Sequence, residues 1–208
     1  MIADATAADF LARRVGQRID AADAYFRANA TAIAACAAAM ADRFFDGATL
    51  LVLGTGLHAT DAQHNSVEYV HPVLPGCRAL PALSLSNDAA TVTALLEGAD
   101  PAEVHARQLR VLGRRGDIAL AFCGVPPAPA VRRGLAEARD RDMLTVALVS
   151  GGGGDVTGLA DHVLHARTED DLVAQELHLA TYHMLWELVH IVLNHRGIPT
   201  AIATAARA

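Results

Sequence analysis

Two side chains that can bind metal or carry protons, His64 and Glu68, stand four residues apart in a stretch of helical character. At that spacing both project from one helix face about one turn apart, so both can reach one metal ion or one substrate. They follow the apolar run 50–53 and the glycine turn Gly54-Thr55-Gly56. A strand, a glycine turn and a helix start form the usual ligand cradle of an α/β domain, because free N–H groups and the helix dipole face the turn. The turn lacks both the full G-x-G-x-x-G pattern and a Walker lysine, so it does not predict a nucleotide site.

A second group of candidate ligands lies in the predicted C-terminal helix, at about residues 170–196. Gln175 and His183 are eight positions apart, which places them about 80° apart around a helix and on a shared face. His183, Glu187 and His190 also fall near one stripe. Spacing alone does not choose between these two sets, and it does not show that this helix approaches His64.

Composition narrows the class of protein. With 208 residues the chain fits one domain with a substantial core. The net charge of −6 argues against a nucleic-acid groove, which needs clustered positive charge. All 17 basic residues are arginine, so the absence of lysine excludes a lysine Schiff base and a lysine general base.

Cysteine usage and hydropathy indicate the compartment. Cys36, Cys77 and Cys123 are odd in number and scattered, which favours a reducing cytoplasm over a disulfide framework. Residues 1–14 contain no apolar signal core, and no apolar run reaches the ~20 residues of a membrane span. We therefore expect a soluble, cytoplasmic protein without a membrane partner.

The elements that must position these residues alternate between helix and strand. Residues 5 to about 46 predict two helices, with Phe10, Leu11, Val15 and Ile19 as an apolar stripe and an alanine-rich second half suited to an oligomer interface.

The remainder predicts a parallel sheet covered by helices on both faces. Its five strands are expected at 49–54, 82–85, 118–122, 143–149 and 163–165. Their carboxyl ends, including Gly54, Ser86 and Cys123, then share the edge where ligands bind.

These motifs resemble the sugar isomerase (SIS) domain family, and within it the phosphoheptose isomerases. The similarity rests on Gly54-Thr55-Gly56 followed by Asp61-Ala62-Gln63-His64 and Glu68, where the family reads a G-N-G-G-S turn and then D-A-x-H-x-x-x-E. Further support comes from residues 112–117 and from Gln175-Glu176-Leu177-His178 through His183. The match extends over nearly the whole chain.

The resemblance implies a fold, a metal centre and a reaction. The fold is an SIS-type three-layer α/β domain spanning 1–208, with a five-stranded parallel sheet and an N-terminal helical pair (1–47) before the α/β core and C-terminal helix (48–208). It implies zinc, or another divalent metal, bound by His64, Glu68, Gln175 and His183. It assigns proton transfer in an aldose–ketose isomerisation to Glu68 and His183, and it implies a homotetramer.

The two loops that are expected to bind a phosphate group depart from the family pattern. Where the family's second loop reads S-T-S-G-N-S, this chain has Cys123-Gly124-Val125-Pro126-Pro127-Ala128, which removes every hydroxyl and adds two residues without N–H groups. His58 replaces the serine of the first loop, and Pro72 stands where an arginine is expected. Each charge-assisted bond to phosphate contributes roughly 1.5–3 kcal/mol. We therefore expect weak binding of phosphosugars.

Two functional hypotheses follow. The first is a metal-dependent isomerase that acts on an altered, even non-phosphorylated, sugar; the second is a non-catalytic SIS module that binds a sugar or regulates a partner protein. A bound metal favours the enzyme, and a metal-free site with Val125 and Pro126 in the phosphate position favours the binder. The expected contacts to a sugar or sugar phosphate are Thr55, Gly56, His58, Asp61, Asn87, Asp88, Cys123 and Gly124.

Overall fold

The computed structural model describes residues 4–98, 100–124, 126–151, 156 and 158–197. Its helices are α1 (Asp4–Phe45), α2 (Leu57–Val70), α3 (Ala89–Gly98), α4 (Val104–Leu112), α5 (Pro129–Asp140) and α6 (Asp171–His195), with a 3₁₀ turn at Pro101–Glu103 before α4. Its strands are β1 (Leu50–Leu53), β2 (Ala82–Ser84), β3 (Ile118–Cys123), β4 (Leu144–Ser150) and β5 (His162–Ala166). Among the described residues, no helix combines the length and apolarity that crossing a membrane requires.

The five strands form one parallel sheet in the order β2-β1-β3-β4-β5. This confirms the predicted α/β architecture. In that order β2 lies on one side of β1 and β3 lies on the other, so the direction in which strands are added reverses after β2. The crevice between the carboxyl ends of β1 and β3 is therefore the topological switch point, where open parallel sheets bind ligands.

The sheet is buried on both faces, which explains why β1 and β3 are apolar at every position and why β4, although it contains Thr145 and Ser150, is buried along its whole length. One face, with Val52, Leu120 and Phe122, packs against α1, α2 and α6. The other, with Leu53 and Ala121, packs against α4 and α5. The metal-ligand candidates lie on the first of these faces.

The N-terminal region differs from the expected helical pair. Residues Asp4–Phe45 form one continuous helix of 42 residues. Only Gly16 weakens its interior, at a cost of about 1 kcal/mol relative to alanine, and the many alanines propagate the helix through that point. Tertiary contacts also support it, because Arg14 pairs with Asp170 at 2.6 Å and the Tyr25 hydroxyl meets Thr181 Oγ1 at 2.9 Å. The prediction of two helices was therefore wrong.

The turn after β1 requires glycine for two separate reasons. A Cβ at Gly54 would lie 2.2 Å from the carbonyl oxygen of His58, so only glycine allows the first turn of α2 to approach β1. Gly56 has φ of +57°, a left-handed conformation that glycine adopts without strain. Together the two glycines bring α2 back over the sheet edge and direct its first turn toward α6.

Candidate metal centre

Three ligand atoms from two distant helices converge at the edge of the sheet. His64 and Glu68 on α2 and His183 on α6 each offer one atom, and these atoms lie within 4.8 Å of one another. Glu68 Oε1 lies 3.3 Å from His64 Nε2 and 2.9 Å from His183 Nε2. We call these three residues the triad. The C-terminal helix α6 thus approaches His64, which the spacing of residues in the sequence could not establish.

The donor atoms of the triad are of the kind that bind a divalent cation. Despite its distance of 2.9 Å from Glu68, the buried Nε2 of His183 makes no hydrogen bond among the described residues, because the angles are unsuitable. Two imidazole nitrogens and one carboxylate oxygen are donors that suit zinc. Glu68 is buried, whereas the His64 side chain is 48% exposed, so one side of the cluster opens to solvent.

Burial sets the protonation of the triad. It raises the pKa of the Glu68 carboxyl above its usual range, although the neighbouring His64 opposes the shift. Burial also lowers the pKa of His183, with Glu187 acting in the opposite direction. The neutral form of His183 is thereby favoured, and a neutral imidazole has the lone pair that a metal requires.

Two aromatic residues of α6 hold the triad in place. The Tyr182 hydroxyl lies 2.8 Å from Nδ1 of His64, so a proton on Nδ1 leaves Nε2 with its lone pair facing Glu68. Trp186 donates from Nε1 to the backbone carbonyl of Glu68 at 3.0 Å. Such outer contacts fix the tautomer and ring orientation of ligating histidines. The site predicted from the sequence did not include either aromatic residue; the adjacency of Tyr182 to His183 was the available signal.

Gln175 lies beside the triad rather than in contact with Glu68 in the present side-chain arrangement. Its amide nitrogen donates to both carboxylate oxygens of Asp61, at 3.3 and 3.4 Å. Asp61 is buried one turn before His64 on α2 and also lies 3.5 Å from Nδ1 of His58. The amide group thus reaches the ligand-bearing face of α2, and its role as a fourth ligand stays a prediction.

The expected sugar contacts take different positions around the sheet edge. Asn87 lines a groove of about 640 Å³ that runs past His64. Asp88 caps α3 by accepting from the N–H groups of Ala90 and Thr91, and the bond from the Thr91 hydroxyl is the main reason that its pKa is lowered. These contacts give Asp88 a capping role, and sugar contacts from Asn87 and Asp88 stay predictions.

His58 occupies the switch point itself. A Cβ at Gly124 would lie 3.2 Å from Nε2 of His58, so the imidazole fills the space between the first glycine turn and the loop after β3. Cys123 is fully buried and burial raises its pKa to about 12, which leaves an inert thiol. Thr55 and Gly56 line a separate chamber on the α3 side of the turn. Val125, which the sequence analysis placed in the loop after β3, lies outside the described residues.

Comparison with known proteins identifies the family. The phosphoheptose isomerase of Desulfovibrio desulfuricans is 32% identical over 171 residues, covering 82% of this chain and 81% of that protein. The phosphoheptose isomerase of Pelobacter propionicus is 36% identical over 157 residues, covering 76% and 83%. No protein-family model matches the chain. This chain belongs to the phosphoheptose isomerase family. The expectation of an isomerase enzyme is thereby confirmed.

Solved structures agree with this membership. The phosphoheptose isomerase from Francisella tularensis has a TM-score of 0.83 and 27% identity, with 88% of this chain and 98% of that chain covered. The phosphoheptose isomerase from Neisseria gonorrhoeae has a TM-score of 0.81 at 23% identity, covering 87% and 97%, and supports the fold. The SIS-type fold expected from the sequence is confirmed.

The triad predicts a specific loss of metal on mutation. We expect His183→Ala to bind zinc at least about 100-fold more weakly than the wild type, because one of three converging donors is lost. Calorimetric titration of the metal-stripped protein, with elemental analysis of the purified protein, measures this change. His195→Ala, an exposed histidine at the end of the same helix, is the matched control and should bind zinc normally. Full zinc affinity in His183→Ala would refute the assignment.

Proposed function

We propose that this chain is a metal-dependent aldose–ketose isomerase whose recognition of its sugar does not depend on a phosphate group. The observation that carries the proposal is the convergence of His64, Glu68 and His183 at one point beside an accessible groove. Membership of a family named for sugar isomerisation agrees with it. The ligand set is His64, Glu68, His183 and the amide oxygen of Gln175, and zinc is the metal that we expect.

The chemistry follows from the residue types. A divalent cation at these donors supplies Lewis-acid polarisation of the carbonyl and hydroxyl oxygens of the sugar. Glu68 takes a proton from the carbon next to the carbonyl and returns it to the carbon that carried the carbonyl. A carboxylate held beside the reacting carbon can act as this general base. His183 moves the hydroxyl proton between the two oxygens.

The altered substrate is supported by the surroundings of the switch point. The relatives are named for a phosphorylated heptose, and a phosphate dianion needs several hydrogen-bond donors. Here the loop after β3 leads into Pro127 and Pro129, which have no N–H group, and the start of α5 has no side-chain cap. The imidazole of His58 occupies the space in front of Gly124. A neutral hydroxyl of a free sugar needs fewer hydrogen-bond donors than a phosphate group does.

The same observations weigh against the alternative of a purely non-catalytic SIS module. Such a module has no need of two histidines and a buried glutamate from two helices within 4.8 Å, with Tyr182 fixing the orientation of one of them. The isomerase is therefore the function that we propose.

Activity tests the proposal directly. With zinc-loaded protein, we expect Glu68→Gln to lower the rate of deuterium incorporation into sedoheptulose from heavy water by at least about 100-fold, because the amide cannot accept the proton. Proton NMR measures the exchange. Glu97→Gln, an exposed residue of α3, should retain the wild-type rate. Unchanged exchange in Glu68→Gln would contradict the role given to this carboxylate.

Binding tests the substrate class. We expect wild-type protein to bind sedoheptulose 7-phosphate no more tightly than sedoheptulose in calorimetric titrations. Replacing His58 by serine restores a hydroxyl and opens the space before Gly124, so His58→Ser should improve the affinity for the phosphorylated sugar about tenfold.

The control for that experiment is His71→Ser, because His71 is exposed at the far end of α2. It should leave both affinities unchanged. The proposal would be refuted if the wild type bound sedoheptulose 7-phosphate with micromolar affinity and the free sugar only weakly. Other groups of the protein would then bind the phosphate.

We also propose that the protein is a homotetramer. The support is the stripe predicted on α1, whose Phe10, Leu11, Val15 and Ile19 are 59%, 62%, 44% and 61% exposed in one chain. Exposed apolar stripes of this kind mark association surfaces.

Light scattering coupled to size-exclusion chromatography tests the assembly. We expect the wild type to elute with the mass of four chains, and Leu11→Glu combined with Ile19→Glu to elute as smaller species. Val111→Glu is the control, since Val111 is 83% exposed away from this stripe. A wild-type monomer would refute the proposal.

A further inference from the structure

A pocket of about 370 Å³ lies at the amino ends of β1 and β3, at the edge of the sheet opposite to the metal centre. Two of its lining residues, Thr49 and Asp117, immediately precede these strands. It shares no residue with the triad. Its cationic side chains come from the end of α1 and from the turn before β3. We call it the arginine pocket, after Arg43, Arg114 and Arg115.

Two of these three arginines have no partner among the described residues. Arg43, in the last turn of α1, is half-buried, and its side chain makes no hydrogen bond or ion pair with the described part of the chain. The same holds for the exposed side chain of Arg114. Arg115 lies 3.5 Å from Asp142. A half-buried guanidinium gains charge-assisted hydrogen bonds when a ligand supplies an anionic oxygen.

The acidic residues of the pocket leave these two guanidinium groups available. Asp117 is buried, and its carboxylate oxygens accept from the backbone N–H groups of Thr49 and Arg114, each at 2.8 Å. Its charge is therefore used to hold the turn before β3 against the start of β1. Asp46 is exposed and forms no ion pair among the described residues. With three arginines and two aspartates, the described lining has a net charge of +1 in a chain whose net charge is −6.

A glycine keeps the space beside Arg43 open. Gly116 has φ of +90°, a left-handed conformation that glycine adopts without strain. A Cβ at this position would lie 3.8 Å from a guanidinium nitrogen of Arg43. The arginine of α1 therefore reaches the turn before β3, and no side chain from position 116 covers its guanidinium.

We propose that the arginine pocket binds a small dicarboxylate, with one carboxylate at Arg43 and the other at Arg114. The planar fork of a guanidinium matches a carboxylate in a bidentate pair. The two available forks come from different elements, so two separate anionic groups use them better than one charge at a single point. The volume lies at the lower end of the roughly 300–1,000 Å³ of small-molecule sites, which favours a ligand of few carbon atoms. The proposal does not rest on the isomerase activity.

A matched set of anions tests the proposal by calorimetric titration of the purified full-length protein. Succinate and butyrate each have four carbon atoms, and butyrate lacks the second carboxylate. We expect succinate to bind, butyrate to bind at least about tenfold more weakly, and inorganic phosphate to bind more weakly than succinate. Absence of succinate binding, equal affinity for butyrate, or tighter binding of phosphate would overturn the proposal.

Substitutions in the pocket locate the binding. We expect Arg43→Gln and Arg114→Gln each to weaken succinate binding about tenfold or more, because each removes one charged fork. Arg27→Gln is the matched control, since Arg27 is 78% exposed on α1 and lines no part of the pocket. Asp46→Asn should strengthen binding, because it removes a carboxylate that repels the ligand. Wild-type affinity in either Arg43→Gln or Arg114→Gln would overturn the assignment.

One further variant separates this pocket from the metal centre. A carboxylate can also bind to a metal ion, so succinate is titrated into His183→Ala as well. We expect this variant to bind succinate as the wild type does, because the pocket and the triad share no residue. Loss of succinate binding in His183→Ala would place the ligand at the metal centre and overturn the proposal. The arginine variants should keep wild-type zinc affinity, so a failure of the metal-centre proposal is detected separately.

Discussion

The contact between α2 and α6 is the constraint on which the rest of the site depends. Two of its hydrogen bonds come from aromatic residues of α6: Tyr182 reaches the imidazole of His64, and Trp186 donates to the carbonyl of Glu68. Residues 118 positions apart are thereby held at hydrogen-bond distance. The centre thus depends on helix packing rather than on a loop, which gives it a rigid frame.

The glycine turn provides the other half of that frame. Because Gly54 allows the backbone of α2 to approach β1 so closely, the first turn of α2 lies over the switch point and its polar face meets α6. The same approach places His58 against Gly124. One backbone feature therefore both positions the metal-ligand candidates and brings the imidazole of His58 next to the loop that follows β3. The candidate metal centre and the proposed change in ligand recognition both depend on this turn.

Much of the fold could be predicted from local pattern. The apolar runs around Leu50 and Leu120 and the glycines that end the strands indicated a parallel sheet, and the strand bounds agree within about two residues. The N-terminal helix was misjudged because the apolar stripe of its first half and its alanine-rich second half were taken for two helices, whereas they form one helix that packs along α6. Helix length there is decided by long-range contacts, which local propensity does not contain.

In the candidate site, too, some features follow from the sequence and others only from the tertiary structure. The sequence by itself determined that His64 and Glu68 share a helix face, since that follows from residue spacing on one element. It also determined that the hydroxyls of the phosphate loop are absent. The family resemblance implied that His183 joins this pair, but residue spacing could not show it. Only the tertiary structure decided that the two helices meet there, that Gln175 turns its amide nitrogen to Asp61, and that His58 fills the space before Gly124. The physical reason is that periodicity fixes positions around one helix, whereas the distance between two helices is set by the side chains packed between them.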